Sequence, residues 1–328
     1  MHPRRIGIAA SFLAIVVVAG CAPGASPSAG MPLTVGLGYI PSVQFAQFYL
    51  ADKAGSYAAE GLDVTFQNEI DSNLVPKVGQ GDLDLGMSDG TSVIPAVSQG
   101  IPIRYIATVY GRFPSIVFGK ASSGINTAAD LKGKRIGIPG RYGSSWIMLQ
   151  ALLDSAGLTP EDVTIVEYPD FGQGIAVQQD AVHAATGFVN NEPVQLELEG
   201  IDTVILRIDD VIALPGPGLI AEAFPSDPPA IRNFVAATLR AMAEIAADPE
   251  VGLDAAIEAV PELAVEREKQ AAILDATIDT WTTPSGRYGA IDRDGWARSI
   301  GYLTELGLVP NRVVVDDLIR EDFLPELP

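Results

Sequence analysis

The feature that most constrains this chain is that it says the same thing twice. Leu33 to Tyr39 ("LTVGLGY") is a β-rich run, Phe45 to Gly61 has the apolar spacing of an amphipathic helix, and Asp63 to Gln67 is a second strand. A short helix in "VPKVGQG" and a third strand, Leu83 to Ser88, complete the first round. From Arg135 the order recurs: "RIGIPG" as strand, Ser145 to Gly157 as helix, "DVTIVEY" as strand, "GIAVQQ" as short helix and "AVHAATGF" as strand. "GLDVTF" answers to "EDVTIV", and "GDLDLGMS" to "DAVHAATGF". Strands alternating with helices predict a parallel sheet with helices on its faces. Twice over, the fold class is α/β with two similar lobes.

The segments between the rounds make the lobes communicate. Phe113 to Lys120 reads as a connecting strand, and "VILRIDDVIALPGPGLIAEAF" as a return crossing. Pro229 to Leu308 carries apolar residues at helical spacing and is expected to pack back on the first lobe. Two crossings form a hinge, and a hinge predicts a central cleft that closes on a ligand.

The N-terminus speaks to compartment. A basic leader, His2 to Arg5, precedes an apolar run from Ile6 to Val18 and then "VVAGC". That is the order of a secretory signal, too short to span a bilayer comfortably. Cysteine directly after Val-Ala-Gly resembles a bacterial lipobox, which implies cleavage before Cys21 and lipidation of its thiol. Cys21 is the single cysteine, so no disulfide competes for it. Ala22 to Gly30 reads as a flexible tether. The expected organisation is a signal peptide over 1–20, the lipidated cysteine and tether over 21–31, and the first part of lobe I over 32–115. Lobe II is expected over 116–214, with the return crossing and helical tail over 215–328 completing lobe I.

The formal charge of −20 argues against nucleic acid or anionic lipid as partner, leaving the membrane to the lipid anchor alone. With His2 in the signal, His183 is the one histidine of the mature body, so neither a metal-binding histidine cluster nor HExxH spacing exists. No cofactor is expected. A cell-surface hydrolase would have to use His183 or a carboxylate pair, and the setting of His183 at a buried strand start favours a structural role.

In open parallel sheets, ligands bind beyond the carboxyl ends of the strands. Applied to both lobes, that rule selects Tyr39, Gln44 and Phe45 after the first strand, Asp89 and Thr91 in "SDGTS", and Tyr110 at the end of "RYIATVY". In the second lobe it selects Tyr142, Gly143, Ser144, Ser145 and Trp146 in "GRYGSSW", and Asn190, Asn191 and Glu192 in "FVNNEP". Phe171 ends "YPDF" beside them. Gly140 and Gly143 permit tight turns, and Ser144 or Ser145 suits an N-cap whose free N–H groups face an oxyanion or carbonyl oxygen. The spacing is neither GxxxxGK[ST] nor GxGxxG, so a nucleotide-hydrolysis loop is not indicated. Aromatic residues form only 7% of the chain, yet they gather at these strand ends, as a pocket for a planar heterocycle requires. The alternative for Phe45 and Trp146 is the helix–sheet core.

These residues also carry a family likeness. "GYIPSVQFAQFYLADKAGSYAAEGLDVTF", "GQGDLDLGMSDG" and "ADLKGKRIGIPG" resemble the SsuA/THI5-like (NMT1-type) substrate-binding proteins of ABC importers, over nearly the whole mature chain. The resemblance implies a type II periplasmic-binding-protein fold, a ligand trapped between two lobes, ABC permease subunits as partners and a monomeric, extracytoplasmic binding protein. "YIPSVQFAQFY", "IPGRYGSSW" and "NNEPV" look most like the vitamin-uptake branch, riboflavin binders first and thiamine-precursor pyrimidine binders next. It also implies ligand contacts at Tyr39, Asp89, Thr91, Tyr142, Ser144, Ser145, Trp146 and Asn191. An alkanesulfonate is a further alternative, which would call on the helix start at Ser145 and on Arg141 or Arg112. The family's eukaryotic pyrimidine synthases carry a cysteine-rich, iron-associated motif that this chain lacks, which points away from an enzyme.

Overall fold

The computed structural model describes residues 30–68, 71–209, 212 and 214–325. The signal peptide, Cys21 and all but the end of the tether lie outside the described residues.

Lobe I begins with β1 (Met31–Leu37), whose Leu33, Val35 and Leu37 are buried. A 3-10 turn at Val43–Phe45 leads into α1 (Ala46–Lys53) and α2 (Ser56–Ala59). The single helix expected from Phe45 to Gly61 is thus divided, because Gly55 takes a left-handed φ of 69° between the two pieces. β2 (Leu62–Asn68), α3 (Asp71–Gly79), β3 (Leu85–Ser88), α4 (Gly90–Ser98) and β4 (Ile103–Thr108) follow.

The chain then crosses into the second sheet. There it forms β5 (Ser115–Lys120), β6 (Arg135–Ile138), α5 (Gly143–Ser155), β7 (Thr164–Glu167) and α6 (Gln173–Gln178). β8 (Ala184–Phe188), α7 (Glu192–Leu198) and β9 (Thr203–Arg207) complete it. β10 (Gly218–Glu222) returns to the first sheet, ahead of α8 (Pro228–Ala247), α9 (Pro249–Ala259), α10 (Arg267–Thr280) and α11 (Arg293–Glu305).

The strand orders are β2-β1-β3-β10-β4 and β7-β6-β8-β5-β9, so the two sheets share one topology. The duplication read from sequence is therefore architectural. The sheets are mixed, however, not parallel throughout. β10 runs antiparallel to β3 and β4, and β5 antiparallel to β8 and β9. In each sheet the reversed strand is one of the two that the chain uses to cross between lobes. A strand buried on both faces is a plain apolar run, which carries no mark of its direction.

Helices of the tail pack on the first sheet and its helices. Phe234 of α8 stacks on Tyr57 with ring centroids 4.8 Å apart and planes 9° from parallel. The Tyr57 hydroxyl meets Thr238 Oγ1 at 2.8 Å. On the other side of the sheet, Trp296 of α11 lies 4.8 Å from the ring of Tyr105. The two crossings are tied together, since the Val109 and Tyr110 N–H groups both donate to the Pro217 carbonyl, at 3.1 and 2.8 Å.

Candidate functional site

A cavity lies between the lobes, where the C-terminal ends of β1, β3, β6, β7 and β8 converge. The strand-end rule therefore locates it. From lobe I it is lined by Tyr39, Gln44, Phe45, Asp89 and Tyr110 among the residues selected from sequence. From lobe II come Tyr142, Gly143, Ser144, Ser145, Asn191 and Glu192. Phe171 lines it too, and its ring meets that of Tyr39 across the cleft in a T-shaped pair, with centroids 4.9 Å apart and planes at 83°. Phe45 fills both roles offered for it, packing in the lobe I core while reaching the cavity wall.

Three of the selected residues stand elsewhere. Thr91 is buried behind Asp89, donating its N–H and its hydroxyl to Asp89 Oδ1 at 2.8 and 2.6 Å. It completes the cap of α4 rather than facing the cleft. Trp146 packs against the lobe II core, with the Arg141 guanidinium 5.2 Å from its ring centroid. The register of α5 turns it to that side. Asn190, 1% exposed, spends both amide hydrogens on lobe I, donating to Gln44 Oε1 at 3.0 Å and to Thr277 Oγ1 at 2.8 Å. Each acceptor is itself oriented. Gln44 Nε2 donates to Ser42 Oγ at 3.2 Å, and the Thr277 hydroxyl donates to the Ile273 carbonyl at 2.7 Å. Asn190 thus latches the lobes together beside the cavity.

The opening of α5 differs from the expected serine cap. Tyr142 is the N-cap residue and makes no side-chain capping bond. The first-turn N–H groups at Gly143, Ser144 and Ser145 are left to the cavity side, where the helix dipole favours an acceptor. Gly140 is needed for the Tyr142 ring: a Cβ there would lie 2.2 Å from Tyr142 Cε1.

Sequence reasoning missed Gln173, Ser88, Gly187 and Phe188 as lining residues. Gln173 and Glu192 act together. Gln173 Nε2 donates to Glu192 Oε1 at 3.2 Å, and the Phe188 N–H donates to Glu192 Oε2 at 2.9 Å. A side chain at Gly187 would place its Cβ 2.6 Å from Glu192 Oε2, so the glycine makes room for the carboxylate. Burial raises the Glu192 carboxyl to about 7, against the pull of the Phe188 N–H in the other direction. Burial also raises the Tyr39 phenol, the neighbouring Glu192 charge adds to the rise, and Asn191 opposes it. Buried Ser88 Oγ and Gln173 Oε1 have no hydrogen-bond partner among the described residues.

Neither arginine offered for an oxyanion lines the cavity. Arg141 pairs with Glu167 at 3.1 Å and Arg112 with Asp209 at 2.8 Å. His183 precedes β8 at the end away from Phe188, and its Nδ1 accepts the Arg135 N–H at 2.9 Å. Burial lowers its pKa, and the Arg135 and Lys134 charges add to that. No described helix is long and apolar enough to cross a membrane.

Residues 42–251 match the family described as NMT1/THI5 like. The chain is 34% identical over 313 residues to the riboflavin-binding protein RibY of Chloroflexus aurantiacus, covering 93% of this chain and 89% of that protein. It is 27% identical over 293 residues to the 4-amino-5-hydroxymethyl-2-methylpyrimidine phosphate synthase of Legionella pneumophila, covering 85% and 88% respectively. Among solved structures, the periplasmic aliphatic sulphonate binding protein SsuA of Escherichia coli matches with a TM-score of 0.68 at 18% identity, over 88% of this chain and 97% of that one. That likeness is one of fold, and the fold is that of the periplasmic binding proteins. The shared topology of the lobes, the cleft between them and the extent of these matches place the chain in the NMT1/THI5-like family.

Proposed function

We propose that this chain is the extracytoplasmic solute-binding component of an ABC importer, tethered through a lipidated Cys21, and that it captures a planar aromatic vitamin, riboflavin first. The observation that carries this reading is the cavity wall. It joins aromatic rings from both lobes to two buried carboxylate residues, Asp89 and Glu192, and among the described residues no lysine or arginine lines it. A flat heterocycle gains from ring contact, and its edge N–H and C=O groups need partners, each costing about 1–3 kcal/mol if left unmet. The uncapped start of α5 offers donors, and Ser88 and Gln173 offer unpartnered oxygens. An alkanesulfonate would face carboxylates without a cation, which disfavours it. The identity with RibY supports riboflavin.

The second reading is a thiamine-precursor pyrimidine, favoured by the relative named as a pyrimidine phosphate synthase. That relative also raises an enzymatic role, but among the described residues neither histidine nor cysteine lines the cavity. Titration of the purified protein against riboflavin fluorescence decides between them. Saturable quenching at one ligand per chain supports riboflavin, whereas silence there with calorimetric binding of the pyrimidine selects the second reading. Turnover of a bound pyrimidine would replace both. A Cys21→Ala chain found free of the membrane fraction would support the anchor.

A further inference from the structure

We infer that Gln173 is a specificity-determining residue, whose amide is locked by Glu192 so that its carbonyl oxygen selects ligands presenting an N–H donor. The inference rests on the planar-ligand reading and names the group that such a ligand must carry.

The lock is geometric. Gln173 sits at the first position of α6, is 1% exposed and lines the cavity. Its amide hydrogen-bonds to Glu192 Oε1 at 3.2 Å. Above about pH 7, where Glu192 is ionised, its carboxylate only accepts, so the Gln173 NH2 is the end turned toward it. Glu192 cannot readily swing away, because the Phe188 N–H holds its other oxygen at 2.9 Å and it fits against the bare Cα of Gly187. The amide's remaining end, Oε1, is buried and has no partner among the described residues. An acceptor left unmet in a buried wall is the mark of a site built for a donor. A site of this kind rejects analogues that lack the donor far more strongly than an apolar pocket rejects a change of size. The imide N–H of an isoalloxazine ring and the exocyclic amine of an aminopyrimidine both qualify. Sulfonates and other all-acceptor anions do not.

The test compares two probe pairs on the full chain: riboflavin with N3-methylriboflavin, and 4-amino-5-hydroxymethyl-2-methylpyrimidine with its N,N-dimethylamino analogue. Wild type should bind the methylated member of the binding pair about ten- to a hundredfold more weakly. Gln173→Met should bind the parent about tenfold more weakly and treat the two members alike within about twofold. Gln173→Asn, which shortens the reach by one methylene, replaces the methionine variant if thermal melting shows that it does not fold. A methylation penalty as large in the variant as in wild type would overturn the role of Gln173 and leave the planar-ligand reading standing. If neither parent binds wild type, that reading falls and this inference falls with it.

Discussion

The two walls of the cleft are built from equivalent strands yet finished differently. At the end of β3 in lobe I, Asp89 caps α4, with Thr91 donating twice to its carboxylate. At the end of β8 in lobe II, Glu192 is held by one backbone N–H and one amide, and burial lifts it to about 7. The first long helix of lobe II, α5, starts without a side-chain cap, whereas the 3-10 turn before α1 is capped by Ser42. Lobe I thus presents a wall whose polar groups, the Ser88 hydroxyl apart, are largely served from within. Lobe II presents donors and an acceptor still wanting partners. The difference teaches that a duplicated fold can divide its labour: one half supplies a finished surface and the other reads the ligand.

The largest test of that contrast is the pH dependence of Glu192. Below 4.5 the carboxyl is protonated folded and unfolded alike. Between 4.5 and about 7 the unfolded chain loses the proton while the folded one keeps it, so stability falls as pH rises and levels off above about 7. At about 1.4 kcal/mol per pH unit the total is about 3 kcal/mol. Urea melts of Glu192→Gln against wild type across this range should show the variant gaining that amount with rising pH. A flat difference would make the two carboxylates equivalent.

Next in size is the latch that joins the walls. Asn190→Ala removes two buried interlobe hydrogen bonds, about 2 kcal/mol, and should weaken every ligand by the same factor of roughly thirty. Small-angle scattering of the ligand-free variant should show a larger radius of gyration. Losses that differ from ligand to ligand would make Asn190 a reader like Gln173. Phe171→Ala, which removes the edge contact to Tyr39, should cost about 1 kcal/mol of affinity in the same quenching titration, mainly for ring ligands. Smallest of all, Asp89→Asn keeps a side chain that caps well and should lower stability by less than about 0.5 kcal/mol. A larger drop in a thermal melt would show that lobe I also depends on a buried charge.

Much of this was legible in advance, and the exceptions have physical reasons. The strand ends were readable because clefts open there in any such sheet, so the strand-end rule brings Tyr39, Asp89, Tyr142 and Glu192 to the cavity wall. The reversed directions of β5 and β10 were not, since "SIVFGK" and "GLIAE" look the same run either way. Gln173 was missed because a glutamine opening "QGIAVQ" resembles an ordinary helix surface, and its burial depends on Glu192, distant in sequence. Neighbouring Asn190 and Asn191 could not be told apart by type. Only the three-dimensional placement of Gln44 and Thr277 shows which of them bridges the lobes.

The exchange of crossing strands sets an order of assembly. All five strands of the second sheet lie in one continuous stretch, Ser115 to Arg207, whereas β3 and β4 are joined only through β10 at Gly218–Glu222. As the polypeptide emerges from the ribosome or from a translocation pore, the inner lobe has all its strands before the outer one can close. The half that begins first is completed last, and until β10 arrives its unpaired edges are the part of the nascent chain most in need of a chaperone.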